Sequence, residues 1–230
     1  MRIECQRHLF DIPDDVAYLN CGYMSPLMKR VRDAAVAGLE RKAHPWEIVP
    51  RDFFSGSDAL RSAFAALINA RVDDIAIVPA ASYGISTAAR NLPLSRGQNV
   101  VVVEDQFPSN VYPWREQAAE VGAHVRTVPR PASGGWTRVV LDAVDRETAI
   151  IAIPQCHWTD GGVFELDRIS AECRTHGIAL SLDLTQSLGV VPFDVSRIQP
   201  DFLSCAAYKW LLGPYSIGFL YVSERWQREG

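Results

Sequence analysis

Only three of the 23 basic residues in this 230-residue chain are lysine. Lys29 and Lys42 sit among charged neighbours, whereas Lys209 interrupts the apolar run Phe202-Leu203-Ser204-Cys205-Ala206-Ala207-Tyr208-Lys209-Trp210-Leu211-Leu212. One reading is a stem packed on the core with its ammonium reaching water. The other is an amine kept for chemistry, because burial lowers a lysine pKa and leaves a free amine able to attack a carbonyl. Asp183 is its first companion: it closes the apolar run 178–182, where a carboxylate is desolvated unless a cation holds it ionised. As an ordinary strand-end residue it would only cap the next turn. Ala80-Ala81-Ser82-Tyr83-Gly84 opens a helix, whose free N–H groups and positive dipole end suit a phosphate, although Ser82 also reads as a plain cap. Phe107, within 104–114, could stack on a flat ligand or fill the base of a loop.

These groups need elements to bring them together. Short β-branched runs at 75–78, 100–103, 124–128, 149–153 and 178–182 alternate with helical patterns near 82–91, 110–121, 137–144 and 166–175. Helices are also predicted at 27–42 and at 57–68, the second opened by Ser57-Asp58, and two further apolar runs follow at 202–207 and 216–222. Alternation of this kind, with nearly continuous apolar strands, predicts an α/β fold: a three-layer α/β/α sandwich with a mainly parallel mixed sheet. Ligands of such sheets sit beyond the carboxyl ends of the strands. Asp183 and Lys209, placed 26 residues later at the end of the next strand, therefore open onto one edge. An acid for a heteroaromatic nitrogen, a buried amine, a phosphate cradle and an aromatic plate are together what pyridoxal 5'-phosphate requires. A nucleotide-binding sheet is disfavoured, since no G-x-G-x-x-G follows the first strand.

Composition narrows the classes. Hydrophobic residues are 48% and charged residues 22%, an ordinary globular balance, and the net charge of −4 gives no electrostatic reason to expect nucleic acid or an anionic membrane. No run of about 18 apolar residues offers a membrane span. Early charge and the lack of an apolar stretch at the start argue against a secretory signal. Five cysteines without a C-x-x-C fit free thiols in a reducing cytoplasm. Cys156-His157 would point to opposite faces of an extended strand, and the other histidines lack ligand spacing, so no metal is expected.

Tyr18-Leu19-Asn20-Cys21-Gly22, Gln106 to Trp114, Cys156-His157-Trp158-Thr159-Asp160-Gly161, Asp183-x-x-Gln186 and Tyr208-Lys209-Trp210 with Gly213-Pro214 behind carry a family pattern. The chain resembles the class V aminotransferase family of fold type I pyridoxal-phosphate enzymes, which includes cysteine desulfurases, selenocysteine lyases and kynureninases. The resemblance implies that Lys209 carries the cofactor as a Schiff base and moves protons, while Asp183 holds the pyridine nitrogen protonated. It implies that Gln186 bonds the phenolic oxygen and that Phe107 stacks on the ring. Ser82, Tyr83 and Tyr208 would bind the phosphate, and Thr159 would be an oxygen donor nearby. It further implies a cytoplasmic homodimer acting on an amino acid. Residues 1–45 would form a segment packing on a small domain or a partner subunit, and 46–230 the cofactor-binding large domain. The C-terminal small domain, with the Arg for the substrate carboxylate, would be absent from this chain. Cysteine desulfurases have His where Phe107 stands and Ser-x-His-Lys where this chain has Ala206-Ala207-Tyr208-Lys209, and kynureninases have His at Gln186. Transamination is the leading expectation, with Cβ–S or Cβ–C lysis beside it and a non-catalytic truncated subunit as the alternative from another class.

Overall fold

The computed structural model describes residues 3–133 and 135–229. Strands β1 (Ile75–Val78), β2 (Asn99–Val103), β3 (His124–Val128), β4 (Thr148–Pro154), β5 (Ala179–Asp183), β6 (Phe202–Ala206) and β7 (Gly218–Val222) form one seven-stranded sheet. Its order is β1-β7-β6-β5-β4-β2-β3. The pairs β2/β3, β2/β4, β4/β5 and β5/β6 are parallel. Only β7 runs the other way, antiparallel to both β1 and β6, so its first residues lie at the edge where the other strands end. The expected mixed, mainly parallel sandwich is thus the observed one.

The central strands are apolar at successive positions because both faces are covered. Val101, Val103, Ile151, Ile153, Leu180, Leu182 and Leu203 face one layer and pack with Phe64, Ile68 and Ile169. The alternate residues Val100, Val102, Ile150, Ala152 and Phe202 face the other, with Ile85, Ala88 and Trp114. The first layer includes α2 (Asp52–Ile68), α5 (Gly135–Asp142) and α6 (Leu166–His176); the second is built on α3 (Ala81–Asn91) and α4 (Tyr112–Val121). Each buried side chain of this size stabilises the fold by about 1.5–3 kcal/mol over its exposed state. The helix α1 (Lys29–Ala43) has no buried residue.

One helix begins earlier than its predicted start. α2 opens at Asp52 rather than near Ser57, because Asp52 accepts a hydrogen bond from the Val49 amide at 3.0 Å and pairs with Arg41 at 2.8 Å. Ser57 lies inside the helix, its hydroxyl donating to the Phe54 carbonyl at 2.8 Å.

Two local packings fix the sheet edges. At the carboxyl edge α3 sits directly on β6: a Cβ added at Gly84 would lie 2.5 Å from Ser204 Oγ, and that hydroxyl donates to the Ala81 carbonyl at 2.9 Å. Gly84 thereby brings the start of α3 down onto the strand that leads to Lys209. At the opposite edge Asp145 joins β2, β3 and β4. It accepts from Asn99 at 2.9 Å and Thr148 at 3.0 Å, and is paired with Arg126. Burial works to raise the Asp145 pKa, but the bonds from Asn99 and Thr148 and the Arg126 guanidinium outweigh it and hold the carboxyl down at about 2. A depressed carboxyl contributes stability above its unfolded pKa of about 3.9 and loses it as the pH falls through the folded value. Asp145→Asn is therefore expected to lower the urea midpoint at pH 6, with the gap to the wild type closing as the pH approaches about 2. Parallel urea titrations at steps from pH 6 to 2 check it, and a pH-independent gap would exclude this role.

Candidate active site

The carboxyl edge gathers six segments of the chain around one cavity of about 190 Å³. Its wall includes Pro154 and Asp183, the last residues of β4 and β5, and Ala206, the last of β6. Gln106 and Phe107 come from the turn after β2, Ala80 to Ser82 from the entry to α3, and Ser216 with Ile217 from the approach to β7. A wider chamber of about 600 Å³ shares Phe107, Cys156, Trp158, Gln186, Tyr208 and Lys209 with it and is also lined by Asn20, Gly22, Tyr23 and Trp210.

Lys209 follows β6 by three residues, in a turn closed by Leu212 N–H to its carbonyl at 3.1 Å and Gly213 N–H to the Ala207 carbonyl at 2.9 Å. A Cβ on Gly213 would stand 2.9 Å from that of Ala207, so glycine lets the turn close this tightly. The Lys209 side chain is only 6% exposed, and its Nζ lies 5.5 Å from the Phe107 ring centre and 5.8 Å from that of Tyr208. Both are within range of a cation–π attraction. Burial pushes its pKa below the ordinary lysine value, against the opposing charges of Asp183 and Cys205.

Asp183 is 7% exposed, and its Oδ1 accepts the Thr185 amide at 2.9 Å. Burial pushes its carboxyl up; the Thr185 hydroxyl and amide oppose this, and Lys209 does so by charge alone, without a hydrogen bond. The two strands that carry the pair are parallel neighbours, with Asp183 level with Ser204. That register is why both groups emerge at one edge.

Of the residues expected at the site, Ser82, Phe107, Asp183, Gln186, Tyr208 and Lys209 line the cavity together. Gln186 is already half committed: its Nε2 donates to the Gly22 carbonyl at 2.9 Å and its Oε1 accepts from Trp210 at 3.0 Å. One N–H of its amide remains for another acceptor. Tyr208 stands beside Tyr215 with ring centres 4.6 Å apart, and burial raises its phenol pKa. Tyr83 and Thr159 are not brought to the cavity. The Tyr83 amide donates to the Ala80 carbonyl at 3.1 Å, and its side chain is 58% exposed. The Thr159 hydroxyl is taken by His157 Nδ1 at 2.9 Å and Arg130 at 2.8 Å.

The wall also includes Trp158, Cys156 and Gln106, for which the sequence reading names no specific contact. Trp158 meets the Phe107 ring edge-on at 5.5 Å and donates to the Asp105 carbonyl at 2.6 Å, which props Phe107 in place. Cys156 lies on the wall, its thiol pKa raised by burial and by Asp160. Gln106 is buried on the wall with its amide nitrogen unpartnered. The signals for Gln106 and Trp158 were their places in the segments after β2 and β4, not their residue types.

The residues present fit pyridoxal phosphate. α3 has no side-chain cap on its first turn, which leaves the Ala81 and Ser82 N–H groups for an anion. Asp183 is a carboxylate short of a cationic partner, Phe107 is an aromatic face on the wall, and Lys209 is a buried amine.

A family model described as aminotransferase class-V matches residues 51–229. An uncharacterised aminotransferase, YcbU, of Bacillus subtilis (strain 168) is 30% identical over 162 residues, 70% of this chain and 43% of that protein. A cysteine desulfurase of Enterobacter sp. (strain 638) is 28% identical over 221 residues, 91% of this chain and 53% of its own length. The chain spans about half the length of the curated relatives it matches. Among solved structures, a C-DES mutant with glycine covalently linked to its PLP cofactor superposes with a TM-score of 0.89 at 23% identity, over 98% of this chain and 61% of that one. The cysteine desulfurase CsdA of Escherichia coli gives 0.85 at 22% identity, over 96% and 57%. At these identities the two structures bear on the fold.

A lysine whose folded pKa is depressed destabilises the fold wherever the unfolded chain holds its proton more tightly, that is, at pH values below the unfolded value of about 10.4. Lys209→Met is expected to raise the urea midpoint of the cofactor-free protein at pH 7, and the gain is expected to shrink as the pH approaches about 10. Denaturation of both proteins at pH 7, 8.5 and 10 checks this; a midpoint lowered by the substitution at pH 7 would count against a strained amine.

Proposed function

We propose, for a chain that belongs to the aminotransferase class-V family, that it forms the large domain of a pyridoxal 5'-phosphate-dependent enzyme acting on an amino acid, and that it cleaves a substituent from Cβ. The observation that carries the reading is a buried amine and a buried carboxylate opening from adjacent parallel strands into one cavity. When bound there, the cofactor supplies an electron-poor ring that accepts the charge left at the substrate Cα.

The chain's own residues divide the remaining work. Lys209 attaches the cofactor and then holds or returns a proton at the substrate Cα; its lowered pKa keeps a neutral fraction ready at working pH. Asp183 would hold the ring nitrogen protonated, and that cation would offset the burial now raising the carboxyl. Phe107, braced by Trp158, covers one face of the ring and keeps water from it. The spare N–H of Gln186 reaches the phenolic oxygen. Ser82, Tyr208 and the first turn of α3 hold the phosphate. Tyr83 and Thr159 have no such placement and act at most from the rim.

Both outcomes share removal of the Cα proton, and they differ in what leaves. Elimination expels a group from Cβ. Transamination would retain the substrate amino group and need a keto-acid acceptor to complete the cycle. The desulfurase names of relatives such as those from Methanothermobacter thermautotrophicus and Enterobacter favour elimination of a sulfur group. The aminotransferase name of the Bacillus relative keeps transamination as the second reading. The same proposal includes a cytoplasmic homodimer, the division into residues 1–45 and 46–230, and a substrate-carboxylate Arg in the portion of the relatives that this chain does not span.

Reconstitution with pyridoxal phosphate is expected to give a visible band that borohydride fixes and Lys209→Ala removes. Asp183→Ala is expected to keep the adduct and to lower turnover by roughly 100-fold or more, the scale on which loss of charge stabilisation acts. Release of the Cβ substituent without an acceptor, with either alanine or a 2-keto acid plus ammonia as the other product, supports Cβ cleavage. Product only with an added keto acid supports transamination, and an adduct with no turnover by the full-length protein supports a non-catalytic subunit. Absence of the band from the wild type would refute the site.

A further inference from the structure

We propose that His157 is a positioning residue: from behind the cavity wall its imidazole holds the turn after β2 in a left-handed bend, and that bend sets Phe107 over the cofactor; this rests on the cofactor reading above. Its neighbours Cys156 and Trp158 line the cavity, whereas the His157 side chain has no accessible surface. Its Nε2 lies 3.0 Å from the Glu104 carbonyl. A carbonyl only accepts, so Nε2 carries a proton and donates. Nδ1 accepts the Thr159 amide at 3.4 Å and meets the Thr159 hydroxyl at 2.9 Å. Both ring nitrogens are thereby engaged. The plane of the ring is fixed as well: Trp136 stacks on it at 4.8 Å and 13°, and a Cβ on Gly162 would stand 2.5 Å from Trp136.

Asp105 is where these bonds act. Its φ is +52°, a left-handed backbone that an L-residue seldom adopts and that persists where its surroundings enforce it. Two successive carbonyls at this bend are held by the segment after β4. His157 donates to that of Glu104, and Trp158 Nε1 to that of Asp105 at 2.6 Å. Two residues further on, the Phe107 ring centre lies 5.5 Å from Lys209 Nζ, and the ring meets Trp158 edge-on. The direction of Phe107 therefore follows from the bend, and the bend from residues 157 and 158. Trp158 is 46% exposed, so its bond competes with water, whereas the imidazole is shut away from water. The buried bond is the firmer hold of the two.

The test uses the full-length protein. His157→Phe keeps a ring against Trp136 and removes both hydrogen bonds, and His157→Gln restores a donor where Nε2 stood. In the cofactor-free proteins, hydrogen exchange of the turn 104–110 is expected to quicken roughly 10-fold in His157→Phe and to return to within about threefold of the wild type in His157→Gln. Exchange in β5 and β6 is expected to stay as in the wild type. After loading with pyridoxal phosphate, hydroxylamine is expected to strip the bound aldehyde roughly 10-fold faster from His157→Phe, because Phe107 no longer covers the ring. The visible dichroism per bound cofactor is expected to fall with it, and His157→Gln to restore both. Thr159→Val removes one bond to the imidazole from the exposed side; should His157→Phe not fold, it is expected to move both rates the same way by about threefold. Unchanged exchange in the turn, or His157→Gln as loose as His157→Phe, would overturn the assignment. Exchange raised equally in β5 and β6, the mark of a merely structural histidine, would overturn it too. If the wild type forms no adduct that borohydride fixes, the cofactor reading falls and with it the part of His157 in the chemistry, whereas the exchange rates still report its hold on the bend.

Discussion

The Lys209 amine is kept out of water next to a buried carboxylate with which it does not hydrogen-bond. A directly paired Lys–Asp would settle both charges and close the space between them. Here each group is raised in energy by burial and acts on the other only through its field, so the pair stays open to a third body. The arrangement is costly to the empty protein, and the surrounding fold is what supports it. Parallel register sets Asp183 level with Ser204, five residues before Lys209. Gly84 lets α3 rest on Ser204, and Gly213 closes the turn behind the lysine. None of these contacts touches the amine, yet each fixes where it points.

The same reasoning explains what was legible in the sequence. Lys209 stood out because a single cation within an apolar run is either a packing compromise or a working group, and Asp183 because it ended a run with no polar relief. Both signals are local, and both survive folding. The sheet was readable for a similar reason: a strand covered on two faces must be apolar at consecutive positions, as Val100 to Val103 and Ile150 to Ile153 are. Signals that depend on partners distant in the chain were not readable. Asp52 starts α2 because Arg41 and the Val49 amide reach it, and no feature of Ser57-Asp58 reveals that competition. The direction of β7 follows from pairing with β1, more than 140 positions earlier in the numbering.

Within the site, residue type misled where hydrogen-bond capacity was already spent. Thr159 is an oxygen donor by type, but His157 and Arg130 take its hydroxyl. Tyr83 follows the helix entry, but its amide closes the first turn on Ala80. Gln186 sits where expected and still gives most of its capacity to Gly22 and Trp210, which ties the N-terminal stretch to the cavity. Gln106 is the reverse case: unremarkable by type, it holds the turn of Phe107 with its carbonyl and leaves its buried nitrogen without a partner. Counting unspent donors separates these four residues, and a sequence contains no such count.

The geometry also divides the chemistry between what this chain carries and what it does not. Activating Cα requires an amine, an acid for the ring nitrogen, an aromatic cover and an anion cradle, and the carboxyl edge of one sheet supplies all four. Choosing what leaves Cβ requires groups placed beyond Cα, on the side of the wide chamber shared by Tyr23, Trp158 and Trp210. Among the described residues lining that chamber, Lys209 and His157 are the ones that can carry positive charge. On the proposed reading, a substrate carboxylate meets no arginine among the described residues lining this chamber. On that reading the sheet edge serves activation, and the choice of leaving group falls to groups that face it across the chamber. The identity of the leaving group accordingly depends less on Lys209 and Asp183 than on whatever faces them across the chamber.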